Sequence, residues 1–141
     1  MSKLYIATLD DIDSCMECAK DFVSYFGMEW HEESVRNTFT HIITNGVFII
    51  AKEGDEVLGG AAALTIPNMW NNTQVFFQEM FWWVVEKHRG SSIGIKLLLT
   101  LETYAPTDST IVLSLLPHSN IKDSTLIKLG YNLKEKSYVK E

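Results

Sequence analysis

Between Trp83 and Leu98 the chain reads Trp-Val-Val-Glu-Lys-His-Arg-Gly-Ser-Ser-Ile-Gly-Ile-Lys-Leu-Leu. A stretch suited to a strand passes through a Gly- and Ser-rich turn into a helical pattern. The first turn of a helix carries backbone N–H groups without intrahelical partners, at the positive end of the dipole. Both favour a phosphate. The small residues Gly90, Ser91, Ser92 and Gly94 let an anion approach the backbone. Arg89, with Lys87, His88 and Lys96, adds local positive charge. The segment is neither a P-loop nor a dinucleotide-binding G-x-G-x-x-G. A plain strand-to-helix turn capped by Ser91 or Ser92 would look the same.

Other reactive side chains point to less. Cys15 and Cys18 form a lone C-x-x-C. A redox pair would open a helix at its first Cys. Here the pair lies inside a helical pattern with Ile12, Ala19, Phe22 and Phe26, which predicts two small apolar residues on a buried face. Zinc would need two further ligands, and the sequence has no second Cys pair and no matching His pair, so no metal is expected. His31, His41, His88 and His118 show no ligand spacing and read as surface or capping residues. The dense aromatics Trp70, Phe76, Phe77, Phe81, Trp82 and Trp83 read mainly as core.

These residues sit on one domain spanning residues 1–141, since 141 residues leave no room for a second core. An apolar fraction of 46% fits a globular chain and excludes a disordered one. The net charge of −6 argues against a nucleic-acid or anionic-lipid surface. Residues 57–78 carry no charge, but Pro67, Asn68, Asn71, Asn72 and Thr73 interrupt that run before it could span a membrane. No signal-like segment opens the chain, so a soluble, cytoplasmic protein is expected.

The predicted elements are a strand at Leu4–Ala7, a capping box from Thr8 to Asp11, and a helix to about Tyr25 closed by Gly27. A second helix over 31–45 follows, then a hairpin of strands 47–51 and 57–66. A long strand covers 74–85 and a helix covers 91–104. Thr110–Leu116 reads as a strand buried on both faces, and 120–129 as a short helix closed by Gly130. Residues 131–139 supply one or two final strands. This order predicts an α/β (α+β) fold, a mixed sheet with helices on both faces. Strict alternation would put Phe77, Glu79, Phe81 and Trp83 on one face of the long strand, although a bulge would break that parity.

Arg89-Gly90-Ser91-Ser92-Ile93-Gly94 resembles the R/Q-x-x-G-x-G/A signature of the GNAT (Gcn5-related) N-acetyltransferase superfamily. Leu129-Gly130-Tyr131 is similar to its L-G-F/Y, and the order of elements matches along nearly the whole chain. Glu79-Met80-Phe81-Trp82-Trp83-Val84 followed by Arg89-Gly90 is similar to small stand-alone members in bacteria and their phages. The resemblance implies a mostly antiparallel central sheet and acetyl-CoA as acyl donor. Its pyrophosphate would lie on backbone N–H groups from Arg89 through Gly90, Ser91, Ser92 and Ile93 to Gly94. The pantetheine arm would lie beside Trp83, Val84 and Val85, with Asn120 or Ser119 as a polar contact. An N–H near Phe81 to Trp83 would polarise the thioester carbonyl. The acceptor would be an amine, on a small molecule or a protein, attacking directly in a ternary complex. Dimers are common in the family.

The resemblance also implies a strand Glu as base, which falls on Glu79. Its aromatic flanks Phe76, Phe77, Phe81 and Trp82 would desolvate it and raise its pKa. Two positions depart from the family pattern. Ser92 replaces a usual Gly, and Leu126 stands where many members carry the Tyr that protonates the leaving thiolate. Water, Tyr131 or Tyr104 is left for that task. Two other functions remain as expectations to test: a GNAT-fold binding or regulatory module without catalysis, and a thiol-redox protein using Cys15 and Cys18.

Overall fold

A computed structural model describes residues 2–116 and 119–141, so His118 lies outside the described residues. The elements are β1 (Lys3–Ile6), α1 (Ile12–Tyr25), α2 (Glu32–Asn45), β2 (Val47–Glu53), β3 (Glu56–Pro67), β4 (Val75–Val84), α3 (Ile93–Glu102), β5 (Thr110–Val112) and α4 (Asp123–Lys128). Single 3-10 turns at Leu9–Asp11 and Glu86–His88 precede α1 and follow β4. At the first of these the Thr8 N–H donates to Asp11 Oδ2 at 2.8 Å, the back-reaching half of the expected capping box. The sheet order is β1-β2-β3-β4-β5, antiparallel except for the β4–β5 pair. This is the mixed, mostly antiparallel sheet expected from the sequence.

Period-two alternation divides the core into two layers. On β2, Phe48 and Ile50 face α1 and α2, meeting Cys15, Met16, Ala19, Phe39 and Ile42. Ile49 and Ala51 face the other way, toward Ile93, Leu97 and Leu101 of α3. The small residues of β3 make room between the layers. A Cβ at Gly59 would stand 2.6 Å from the Trp83 carbonyl, so the glycine lets β3 and β4 come together there.

β4 carries the feature that organises the site. Ala62 pairs with Phe81 but Ala63 pairs with Glu79, which leaves Met80 as an extra residue in a β-bulge. The bulge reverses the parity. Phe77 lies in the α3 layer, whereas Phe81 and Trp83 lie in the α1–α2 layer. Glu79 therefore does not share a face with Phe81 and Trp83, contrary to strict alternation.

Two predicted strands are corrected. Pairing of β5 with β4 runs only from Phe76↔Thr110 to Gln78↔Val112, so β5 is three residues long and not a seven-residue strand buried on both faces. Residues 131–141 form no strand at all. Leu133, Tyr138 and Val139 there are more than three-quarters exposed. Apolar alternation makes a strand only where a partner buries it, and charges at Lys134, Glu135, Lys136 and Lys140 solvate this stretch instead.

Among the described residues no helix is long and apolar enough to cross a membrane.

Candidate active site

Beyond Val112 the chain leaves β4, and the two strands part at the bulge. Glu79 stands at the fork. One oxygen of its carboxylate accepts the Ser114 N–H at 3.1 Å. Burial pushes this carboxyl up to about 7, and the Ser114 bond, which favours the ionised form, offsets only part of that. A group in that range can take a proton near neutral pH and release it to solvent.

A cavity of about 460 Å³ opens along the last residues of β4 and the start of α3. Trp82, Trp83 and Val84 line one wall, Gly90, Ser91 and Gly94 the head, and Ser119, Asn120 and Lys122 the far side. Local rules build the head. Gly90 adopts φ +87°, a left-handed conformation that suits glycine, and ends the 3-10 turn. Ser91 donates its hydroxyl to the His88 carbonyl at 2.6 Å and accepts weakly from the Ile93 N–H at 3.4 Å. α3 thus starts at Ile93, two residues later than predicted. The Trp82 indole N–H donates to the Gly94 carbonyl at 2.9 Å and ties the strand to the helix start. A ten-residue helix therefore points its uncompensated first-turn N–H groups at the cavity head.

Of the expected donor-site residues, Arg89 lines this cavity and also makes contacts within the protein, whereas Val85, Ser92 and Ile93 are not part of its lining. The Arg89 guanidinium is bound to the protein: Nε donates to the Val84 carbonyl at 2.9 Å, Nη2 to Asp21 at 3.1 Å, and the group lies 4.6 Å from the Tyr25 ring centroid. Arg89 braces the end of β4 against α1, and Asp21 offsets its charge. Val85 donates its N–H to the Leu58 carbonyl and packs into the core. Ile93 is buried in the α3 layer, so only its backbone reaches the head. Ser92 caps α3 and takes the Lys96 N–H on its carbonyl. Phe22, Tyr25, Phe26, Lys122 and Thr125 join the cavity unannounced by the sequence reading. The aromatics at the end of α1, just before Gly27, were its only local signal.

Tyr131 follows α4 and is tied to the end of α3. Gly130, at φ +96°, reverses the chain after α4. The Gly130 N–H bonds the Ile127 carbonyl and the Tyr131 N–H bonds the Leu126 carbonyl, a Schellman closure. The Tyr131 hydroxyl then donates to Glu102 Oε1 at 3.1 Å. Burial, with Glu102 and Glu79 adding to it, pushes the Tyr131 phenol well above its usual range.

A second cleft, of about 740 Å³, lies between α1 and the β2–β3 turn. Glu17, Asp21, Asp55, Glu56 and Glu86 line it, with Lys87 bound to Glu56 at 2.8 Å. That acidic lining would repel a polyphosphate.

The cysteines are structural. Both are buried and unpaired with each other, and burial pushes the Cys15 thiol up to about 12 and the Cys18 thiol up to about 11. Cys18 Sγ accepts the Trp83 indole N–H at 2.8 Å. Neither thiol should react with a chromogenic disulfide reagent at neutral pH until denaturant is added. Prompt labelling of the folded protein would contradict that assignment. Among the described residues no group of His, Cys, Asp and Glu could hold a metal ion. His31 caps α2, His41 bonds Asn45, and His88 lines the cavity at Gly90.

Comparison with known proteins agrees with this geometry. No curated protein sequence matches the chain significantly. Solved structures do match in fold. A predicted acetyltransferase from Clostridium acetobutylicum, crystallised with acetyl-CoA, superposes with TM-score 0.75 at 18% identity, covering 100% of this chain and 96% of that one. An acetyltransferase from Trypanosoma brucei gives TM-score 0.76 at 14% identity, covering 100% and 99%. A transcriptional regulator from Bacillus halodurans gives 0.75 at 14%, covering 100% and 99%. At these identities the likeness is one of fold. The sequence itself matches the family model "Acetyltransferase (GNAT) family" over residues 15–131, and the chain belongs to that family.

Proposed function

We propose that this acetyltransferase takes the acetyl group of acetyl-CoA and passes it directly to an amine, with Glu79 as the base. The observation that carries the reading is the half-buried Glu79 carboxyl, poised near neutrality at the fork of β4 and β5. Family membership supports acyl-CoA-dependent N-acyl transfer in general. The cavity supports the donor. Its head offers small residues and a helix N-terminus to a pyrophosphate, and Trp82, Trp83 and Val84 offer an apolar wall to the arm. Recognition of the phosphates then falls to backbone N–H groups around Gly90 to Gly94 and to Arg89, Lys122 and His88, which line the cavity.

The steps balance without an enzyme nucleophile. Glu79 takes one proton from the bound ammonium. The free amine attacks the thioester carbonyl, a C–N bond forms, and the C–S bond breaks. N–H groups of Phe81 to Trp83 that are not committed to β3 face the side vacated by β5, where they stabilise the developing oxyanion. CoA leaves as a thiolate, which a pKa of about 8.5 permits without a strong acid. The second amine proton ends on that thiolate or in solvent.

The test is calorimetric titration with acetyl-CoA, then release of free CoA thiol in the presence of polyamines, aminoglycosides, amino acids and short peptides. Binding with thiol release on at least one amine is expected. Absence of acetyl-CoA binding would remove the reading and favour a binding module without catalysis.

A further inference from the structure

We infer that Asp21 is a positioning residue for the acyl donor: with Tyr25, one turn further along α1, it holds the Arg89 guanidinium at the wall of the cavity at Gly90, where the rest of the fork meets the pyrophosphate. This rests on the acetyl-CoA reading of the same cavity.

Arg89 stands at the joint between β4 and α3. It closes the 3-10 turn after the strand and immediately precedes Gly90. A guanidinium is a planar fork with more N–H groups than one partner uses. Here Nε donates to the Val84 carbonyl at 2.9 Å, and Nη2 donates to Asp21 Oδ2 at 3.1 Å. The Tyr25 ring covers the group, with its centroid 4.6 Å from the guanidinium carbon. Asp21 and Tyr25 stand at i and i+4, so they share one face of α1 and reach the same partner. Two bonds and one ring thus set the place of the fork. Its other N–H groups are left for a ligand, and Arg89 lines the cavity together with Gly90, Ser91 and Gly94.

The grip has a fixed base. Trp83 ties α1 to β4: its indole N–H donates to Cys18 at 2.8 Å, and its ring lies 5.7 Å from that of Phe22. Cys18 and Phe22 bracket Asp21 on the helix. The charges are also divided usefully. Asp21 lines the acidic cleft beside α1, whereas Arg89 lines the cavity at Gly90. The ion pair is therefore the partition between the two spaces, with its cation toward the donor. A guanidinium already held in place loses little side-chain freedom when an anion arrives, which favours binding.

Calorimetric titration with acetyl-CoA tests this in the wild type, Asp21→Ala, Asp21→Asn, Arg89→Ala and the Asp21→Ala, Arg89→Ala double variant. Asp21→Ala should weaken binding about tenfold, the worth of one hydrogen bond to a charged group. Asp21→Asn should recover most of that loss, since its amide oxygen still accepts from Nη2. The loss should vanish in the Arg89→Ala background, where nothing is left to position. A loss that persists there would overturn the role. So would an Asp21→Ala that binds as tightly as the wild type or tighter, or an Asp21→Asn as weak as Asp21→Ala. Tyr25→Leu probes the same grip with the ion pair in place, and it serves where Asp21→Ala does not fold. It should weaken binding about threefold with Arg89 present and not at all in Arg89→Ala. Equal losses in both backgrounds, or none in either, overturn the role. An Arg89→Ala that binds as the wild type does overturns this role alone. Absence of acetyl-CoA binding by the wild type overturns the donor reading and this role together.

Discussion

Glu79→Gln is expected to lower kcat/KM by about 10²–10³-fold, within the usual worth of a positioned base. Gln retains an acceptor for the Ser114 N–H, so the fork should keep its geometry. The loss then reports on proton transfer. In the wild type the rate should climb with pH through about 7, as the carboxyl ionises, and then level off. The variant should lose that limb, and initial rates across pH with a saturating amine would show it. A variant with an intact limb would move the base elsewhere. Stability should respond with a definite sign. The folded state holds Glu79 above its ordinary value, so it favours the protonated form. The resulting penalty is fully present above the folded pKa and is relieved as pH falls through it toward the ordinary carboxylate range. Thermal melts should therefore show Glu79→Gln more stable than the wild type near pH 8, with the gain gone at about pH 4.

The parts of the fold that were legible in the sequence are those set by local rules. Alternation on β2, helical spacing through Ile12, Cys15 and Ala19, and Gly130 after α4 each name their element within a few residues. The desolvation of Glu79 was legible for a similar reason: a Glu among large aromatics on a strand must lose water wherever that strand is buried. The bulge was not. Met80 carries no turn chemistry, and its extra place in β4 follows from pairing with β3. That single residue sends Phe77 and Phe81 to opposite layers. Arg89 shows the same limit. Its residue type and signature position suggest phosphate, but nothing local announces its contact with Asp21, 68 residues away, which only tertiary structure brings to it. The terminal strands failed for want of a partner, which an alternating pattern cannot reveal.

The second large effect should come from Gly94→Val, and it separates binding from folding. A Cβ built at Gly94 meets only Val84 Cγ2 at 3.6 Å and Trp82 Nε1 at 3.9 Å, both ordinary contacts. The protein itself has room there, so nothing in its own packing requires a glycine. Gly94 lies in the first turn of α3, where replacing glycine removes about 0.5–1 kcal/mol of backbone entropy cost. β-branching returns part of that gain, so thermal stability should hold or rise slightly. The new side chain nevertheless stands in the cavity, above the N–H groups assigned to the pyrophosphate. Losing one or two charge-assisted hydrogen bonds of about 1.5–3 kcal/mol each should weaken acetyl-CoA about 100-fold or more by calorimetry. A glycine kept for backbone geometry would give the reverse pattern, with falling stability and little change in affinity for the protein that still folds. A stable Gly94→Val that binds acetyl-CoA as well as the wild type would move the donor out of this cavity. The acidic cleft beside α1 is another space of that size, and its carboxylates make it a poor host for a polyphosphate.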